Sequence, residues 1–280
     1  MTQDRANAAQ VDYWNAHVGR TWAAQHEALD RQIRPLGLAA MEALAPAAGE
    51  RILDLGCGCG ETTIDLAHRV GPEGAVEGVD ISAPMLDVAR QRALPLSGTV
   101  SFREADAQTE ALAREQYDAF YSRFGVMFFD DPVAAFANIR HAIKPGGRFT
   151  FVCWRALADN PWMAEPLAVA QPHVPPRPTA DPLAPGPFAL ADPERLTAVL
   201  HEAGWSSVRL TRFDTRIGAG DLNAALDLAL RVGPLGSALR EAPALVPVVT
   251  PLVREVLSRY QTADGVRMPA SIWVVAGRRL

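Results

Sequence analysis

Apolar positions along the first half of the chain follow two periods in turn. From residue 10 to about residue 44, Trp14, Val18, Trp22, Leu29, Ile33 and Leu36 recur at the spacing of one helix face. Pro35 interrupts that stretch. A proline inside a helix removes an N–H and crowds the preceding turn, so two helices are predicted here. Arg51-Ile52-Leu53-Asp54-Leu55 is a short strand running into Gly56-Cys57-Gly58-Cys59-Gly60, and residues 61–70 return to a helical pattern. Residues 75–80 read as a second strand, 84–93 as a helix opened by Pro84, 100–103 as a third strand and 117–122 as a fourth. Asp131-Pro132 starts a further helix, with an Asp to cap free N–H groups and a Pro at the first helical position. It runs to about residue 143 and stops at Lys144-Pro145-Gly146-Gly147; residues 148–154 are apolar enough for a central strand.

Strands and helices alternating at this spacing predict an α/β fold, a parallel sheet with helices on both faces. Beyond Arg155 the pattern changes. Residues 172–187 are proline-rich and read as an extended connection. Asp192-Pro193 opens a helix ending near Gly204, residues 207–212 are strand-like, residues 221–260 hold two or three helical segments, and residues 271–276 form a last strand. The expected organisation is an N-terminal helical lid (1–45), an α/β core that binds a cofactor (46–155), a proline-rich cap insertion (156–190), and the rest of the sheet (191–280) carrying a helical cap insertion at 221–260.

Composition narrows the chemistry. The 280 residues are 49% hydrophobic and 21% charged, ordinary for a globular chain and unlike a disordered tail or coiled coil. No run of 18 apolar residues and no N-terminal signal pattern occurs, so membrane insertion is not expected. A net charge of −5 without a basic block argues against nucleic acid. Cys57, Cys59 and Cys153 are an odd count, unsuited to a disulfide framework and in keeping with a reducing cytoplasm. Lys144, the only lysine, sits in a turn, which disfavours Schiff-base chemistry, and no Gly-Lys-Ser/Thr triplet supports a P-loop.

The strongest signal is a strand, then Asp54-x-Gly56-x-Gly58-x-Gly60, then a helix. Glycines at such a turn let the backbone approach a ligand, and the helix offers free N–H groups. Dinucleotide sites use G-x-G-x-x-G; here Glu61 stands where the third glycine belongs, and its carboxylate would repel a pyrophosphate. Asp54 is likewise better matched to a cationic ligand. Asp80 ends the second strand, where it can accept hydrogen bonds from ribose hydroxyls. Asp106 follows the third, where it could meet an adenine amino group. Three acids converging on one sheet edge are more specific than the loop alone.

With Ile52-Leu53-Asp54-Leu55-Gly56-Cys57-Gly58-Cys59-Gly60, Val79-Asp80-Ile81-Ser82, Ala105-Asp106-Ala107 and Lys144-Pro145-Gly146-Gly147-Arg148, the chain resembles the class I S-adenosylmethionine-dependent methyltransferases. Within them it resembles the small-molecule branch that is similar to the ubiquinone/menaquinone C-methyltransferases. The resemblance implies a Rossmann-like seven-stranded sheet whose last strand is antiparallel. It places Gly56 and Gly58 under the methionine portion of the cofactor, Asp80 on the ribose, Ile81 on the adenine face, and Asp106 with Ala107 at the adenine edge. Ser122, Arg123 and Phe124 would face the methionine and the acceptor. An N-terminal helix would fold over the cofactor, presenting Tyr13 and Trp22, whose aromatic faces suit a sulfonium cation. Asp54, Cys57 and Met85 complete the candidate cofactor set. Trp14, His17, Arg123, Met127, Trp162 and Leu226 are the candidates for contact with a small, partly apolar acceptor.

A metal is not expected: Cys57 and Cys59 have no nearby His or second cysteine pair, and Ser122 and Arg123 stand where some catechol methyltransferases hold magnesium with an acid. The expected activity is transfer of a methyl group from S-adenosylmethionine to a small molecule. The alternatives are a non-methylating enzyme that binds the same cofactor and, disfavoured by the glycine spacing, a NAD(P)-dependent oxidoreductase.

Overall fold

The structure is a computed structural model that describes residues 6–174, 181 and 183–280. Its strands are β1 (Arg51–Leu55), β2 (Ala75–Asp80), β3 (Val100–Glu104), β4 (Tyr117–Arg123), β5 (Ile143–Trp154), β6 (Ser206–Ile217), β7 (Gln261–Thr262), β8 (Gly265–Val266) and β9 (Met268–Arg278). All but β7 and β8, a separate hairpin, form one sheet in the order β3-β2-β1-β4-β5-β9-β6. Pairing is parallel from β3 across to β5, and β9 runs antiparallel to both β5 and β6. The expected α/β sheet, with its last strand reversed, is borne out.

Central strands of such a sheet are covered on both faces, so they appear in sequence as apolar runs rather than alternations. β5 is buried without a break from Phe149 to Trp154. Phe149 stacks on Phe120 of β4 at 5.0 Å and on Phe151 at 5.6 Å, and Trp205 meets Phe149 edge-on at 4.7 Å. The helices around the sheet are α1 (Ala8–Asn15), α2 (His17–Ala24), α3 (His26–Leu44), α4 (Glu61–Val70), α5 (Ala83–Arg92), α6 (Pro132–Ala142), α7 (Pro161–Ala170), α8 (Pro193–Glu202), α9 (Leu222–Arg231), α10 (Gly233–Glu241) and α11 (Val246–Ser258). Asp-Pro starts behave as capping chemistry requires. The Asp131 carboxylate accepts from the Ala134 N–H at 3.0 Å, and that of Asp192 accepts from Glu194 at 2.9 Å.

Two boundaries differ from the sequence expectation. Pro35 does not split a helix; it lies inside α3, and the breaks fall at Ala16 and Gln25. Around the proline, Ile33, Leu36, Ala40, Met41 and Leu44 are all buried against the sheet, and that packing outweighs one missing backbone bond. Nor does Lys144-Pro145-Gly146-Gly147 separate helix from strand. β5 already starts at Ile143, which pairs with Tyr117. The register then slips, and Gly146, at φ +79°, absorbs the kink.

The later helices form a unit of their own. α7, α9, α10 and α11 enclose a second apolar core containing Leu226, Leu235, Leu239, Val249, Val253 and Leu257. Part of the proline-rich connection, residues 175–180 and 182, lies outside the described residues.

Candidate functional site

Strand order reverses between β1 and β4, so the chain leaves their C-terminal ends toward opposite sides and a crevice opens there. Gly56 follows β1 and Gly125 lies just beyond β4. A Cβ on Gly56 would stand 2.5 Å from the Gly125 Cα, so both strands can end this close together only with glycine at these positions. Above them lies a cavity of about 130 Å³.

Its floor is the loop Gly56–Cys59, with Thr62 from the first turn of α4. Gly58 has φ +53°, and a Cβ there would meet nothing nearer than the Met85 side chain at 3.9 Å, so bare backbone faces the open space. One side is built from Asp80, Ile81 and Met85 after β2 and from Ala105, Asp106 and Ala107 after β3. The other side is Arg123, Phe124, Phe128 and Phe129 beyond β4. The roof is Trp14, Trp22 and one face of α3 carrying His26, Leu29, Asp30 and Ile33.

The acids are held by backbone. Asp80 accepts from the Gly58 N–H at 2.8 Å and from the Ser82 N–H at 2.9 Å, which fixes the glycine loop to the end of β2. Burial pushes its carboxyl above the ordinary aspartate value, against those hydrogen bonds. Asp106 accepts from the Gln108 N–H at 2.9 Å and the Thr109 hydroxyl at 3.0 Å. Carboxylate oxygens carry further lone pairs, so both acids can still accept from a ligand.

The roof is latched to the same loop. Asn15 donates to the Ile81 carbonyl at 2.7 Å and accepts from the Ala83 N–H at 2.9 Å, while the Ser82 hydroxyl donates to the Trp14 carbonyl at 2.8 Å. Trp14 meets Trp22 and Phe128 edge-on at 5.6 and 5.0 Å. α9 braces this roof from behind, through Leu228 packed against Leu29 and through Asp227, which accepts from Gln25 at 3.2 Å.

Arg123 lies between two acids. It donates to Asp30 at 2.9 Å and to Glu61, which Arg34 also reaches at 2.6 Å, while Arg92 donates to Asp30 at 2.8 Å. Burial raises the Asp30 carboxyl despite its guanidinium partners; for Glu61, Arg123 and Arg34 outweigh burial and hold the group below its ordinary value. Glu61, which breaks the dinucleotide glycine pattern, is thus a structural anchor for Arg123.

Of the predicted cofactor residues, Trp22, Gly56, Cys57, Gly58, Asp80, Ile81, Met85, Asp106, Ala107 and Phe124 line the cavity, as do Trp14 and Arg123 from the acceptor set. The others do not. Asp54 lies under the loop, accepting from the Thr62 and Thr63 hydroxyls at 2.7 Å each, with its second oxygen unpartnered; burial pushes its carboxyl up to about 6. Ser122 is fully buried and donates to the Leu55 carbonyl at 2.7 Å, tying β4 to β1. Tyr13 is 41% exposed on the outer side of α1, and exposed His17 pairs with Thr21 one turn on. Met127 is buried in the main core. Trp162 lines a different cavity of about 40 Å³ between α7, α9 and β9, and Leu226 belongs to the second apolar core. Among the described residues, the main cavity is lined only between Asn7 and Phe129, so the C-terminal helices support the roof rather than enclose the space.

Sequence reasoning missed Asn7, Asp30, Leu29 and Ile33, and placed His26 on the lid only as one of six histidines that could act as a base. A signal existed: positions 26, 29, 30 and 33 share one helix face, and two of them are polar within an apolar stripe.

These residues fit S-adenosylmethionine. Asp30, Asp80 and Asp106 against Arg123 give the wall an excess of negative charge for a sulfonium cation. Residues 52–147 match a family model described as a methyltransferase domain. An aklanonic acid methyltransferase of Streptomyces sp. (strain C5) is 33% identical over 118 residues, 42% of this chain and 54% of that protein. A ubiquinone/menaquinone biosynthesis C-methyltransferase of Pseudomonas fluorescens is 36% identical over 111 residues, 39% of this chain and 43% of that one. The chain thus spans about half the length of such relatives. Among solved structures, a phosphoethanolamine N-methyltransferase 2 of Haemonchus contortus superposes with a TM-score of 0.59 at 16% identity, covering 98% of this chain and 61% of that one. The resemblance read from the glycine loop and the acids is borne out over the α/β core, and the fold is that of S-adenosylmethionine-dependent methyltransferases.

Proposed function

We propose that this chain transfers the methyl group of S-adenosylmethionine to a small, partly apolar acceptor. The observation that carries the reading is the set of acids at the C-terminal ends of adjacent strands around a glycine loop, beneath an aromatic roof. The cofactor supplies a methyl group already activated on a cationic sulfur. The protein's part is to bind, orient and exclude water, so that the acceptor meets the methyl carbon in line. Asp80 holds the ribose hydroxyls, Asp106 and Ala107 the adenine edge, Ile81 the adenine face, and the bare backbone at Gly56 and Gly58 the methionine portion. Trp14 and Trp22 cover the sulfonium and keep water out. Arg123 positions Asp30 and Glu61 rather than contacting an anionic acceptor, because both of its terminal nitrogens are engaged.

The reading is of a cytoplasmic enzyme, in keeping with three free, buried cysteines. Among the described residues no helix is long and apolar enough to cross a membrane. The test is titration calorimetry with S-adenosylmethionine and with NAD, followed by incubation with methyl-labelled cofactor and an extract of small metabolites. Saturable binding of S-adenosylmethionine alone, with label appearing in a small molecule beside S-adenosylhomocysteine, is the expected result. Preference for NAD would reject it. Cofactor binding without any transfer of label would favour the non-methylating alternative.

A further inference from the structure

A hydrogen-bond acceptor without a donor on the roof of the cavity indicates which kind of acceptor molecule fits. It belongs to His26. Its Nδ1 lies 2.8 Å from the Ala23 carbonyl oxygen, which can only accept, so Nδ1 carries the proton. In the neutral ring Nε2 is then a bare lone pair on a residue that lines the cavity. Asp30, one helical turn on, cannot take this part, because Arg123 and Arg92 occupy its oxygens.

The remaining walls select the ligand's charge and shape. Trp14, Trp22, Leu29, Ile33, Phe128 and Phe129 are apolar and largely aromatic. Asp80 and Asp106 are bonded to neutral donors, and the one cation among the described lining residues is already paired. A carboxylate or phosphate acceptor would therefore find no unpaired cationic side chain among these lining residues. A flat neutral molecule bearing a hydroxyl meets matching surfaces.

We propose, building on the methyltransferase reading, that His26 is the general base for O-methylation of a phenolic or enolic hydroxyl. The hydroxyl proton passes to Nε2. The hydroxyl oxygen bonds to the methyl carbon as the carbon–sulfur bond breaks, its electron pair staying on sulfur. The imidazolium then returns the proton to solvent, so the sum is one ether, one thioether and one released proton. Asp30, Asp80, Asp106 and Arg123 are the charged residues that line the same cavity, Glu27 follows His26 on its helix, and Asp227 lies on the bracing helix α9.

The experiment compares the wild-type protein with His26→Gln. Calorimetry with S-adenosylmethionine and with its demethylated product, S-adenosylhomocysteine, reports cofactor binding. Methyl-labelled cofactor is then offered with matched sets of naphthols, naphthylamines and naphthoic acids, together with a nitro-substituted naphthol that is already ionised at neutral pH. The expected result is label on the naphthols, with kcat reduced about a hundredfold or more in His26→Gln at unchanged cofactor affinity. The wild-type rate rises with pH to a plateau, that limb is absent in the variant, and the pre-ionised naphthol is methylated by both proteins at similar rates. Equal losses on neutral and pre-ionised naphthols, an unchanged pH profile, or label confined to amines or acids would overturn the proposal. So would cofactor binding with no transfer to any naphthol. Failure of the wild-type protein to bind cofactor is distinguishable, since it would remove the methyltransferase reading along with this one.

Discussion

At the scale of single residues, two aspartates near strand ends have different duties. Asp80 lines the cavity, whereas Asp131 caps α6. Asp80→Ala should weaken S-adenosylmethionine binding by about ten- to a hundredfold, corresponding to roughly 1.5–3 kcal/mol for hydrogen bonds to a charged acceptor. Asp131→Ala should leave that affinity alone and cost about 1 kcal/mol of stability through the lost cap. Calorimetry paired with urea unfolding separates the two effects, and equal affinities would displace Asp80 from the ribose.

Asp54 gives a residue-scale prediction in pH. Its carboxyl is pushed up to about 6 in the folded protein, chiefly by burial and against two threonine hydrogen bonds, from an ordinary value of 3.8. The folded state therefore favours the protonated form. The stability this group contributes is full below about pH 3.8 and is lost as pH rises through about 6, to the extent of roughly 3 kcal/mol. Asp54→Asn keeps an acceptor for the threonines and carries no charge. Its stability relative to wild type should thus improve by roughly that amount between pH 4 and pH 7, as measured by urea unfolding across the range. A constant difference would mean that Asp54 stays ionised throughout.

At the scale of elements, the glycine loop separates packing from binding. Gly56→Ala drives a Cβ to 2.5 Å from the Gly125 backbone and should destabilise the fold by about 1–3 kcal/mol, as overpacking does. Gly58→Ala meets no such obstacle, so its stability cost is the left-handed backbone alone, about 1–2 kcal/mol. Its methyl group enters the cavity, and the expected signature is a loss of cofactor affinity larger than the stability change explains. Thermal unfolding with and without S-adenosylmethionine reads both quantities. The roof provides a second case. A Cβ at Gly19 would fall 1.8 Å from the Trp14 carbonyl oxygen, which the Ser82 hydroxyl also contacts. Gly19→Ala should therefore lift α1 from the end of β2, raising amide exchange over residues 8–24 while the sheet stays protected. Unchanged exchange there would show that the helix pair accommodates the methyl group in place.

At the scale of the whole molecule, the interior charges and the second core set stability rather than chemistry. Arg123→Met leaves Asp30 and Glu61 each with one remaining guanidinium, Arg92 and Arg34. Removing one partner from buried ion pairs costs about 3–5 kcal/mol, and the surviving partners place this case near 3. Trp162→Ala should cost about 3–5 kcal/mol through the enlarged cavity between α7 and β9. Neither its cofactor affinity nor its acceptor KM should change much, because Trp162 lines a different space from the proposed site. Urea unfolding beside steady-state kinetics checks both variants; a raised KM in Trp162→Ala would mean that the smaller cavity communicates with the larger.

The alternation of apolar runs and helical stripes by itself determined the order of elements in the α/β core, and the glycine loop with Asp80 and Asp106 marked residues that line its main cavity. These signals are local. A buried parallel strand must be apolar, a close backbone approach needs glycine, and an acid just after a strand lies at its C-terminal edge whatever the rest of the chain does. Only the tertiary structure decided that α3 runs straight through Pro35, that Asp54 and Ser122 serve the interior, and that Trp162 and Leu226 lie in another core. It also brought His26 and Asp30 over the cavity. Each of these depends on contacts between segments far apart in sequence. Burial against a distant strand can override a local helix breaker, and a polar residue one turn from another takes its role from whichever surface the helix packs upon.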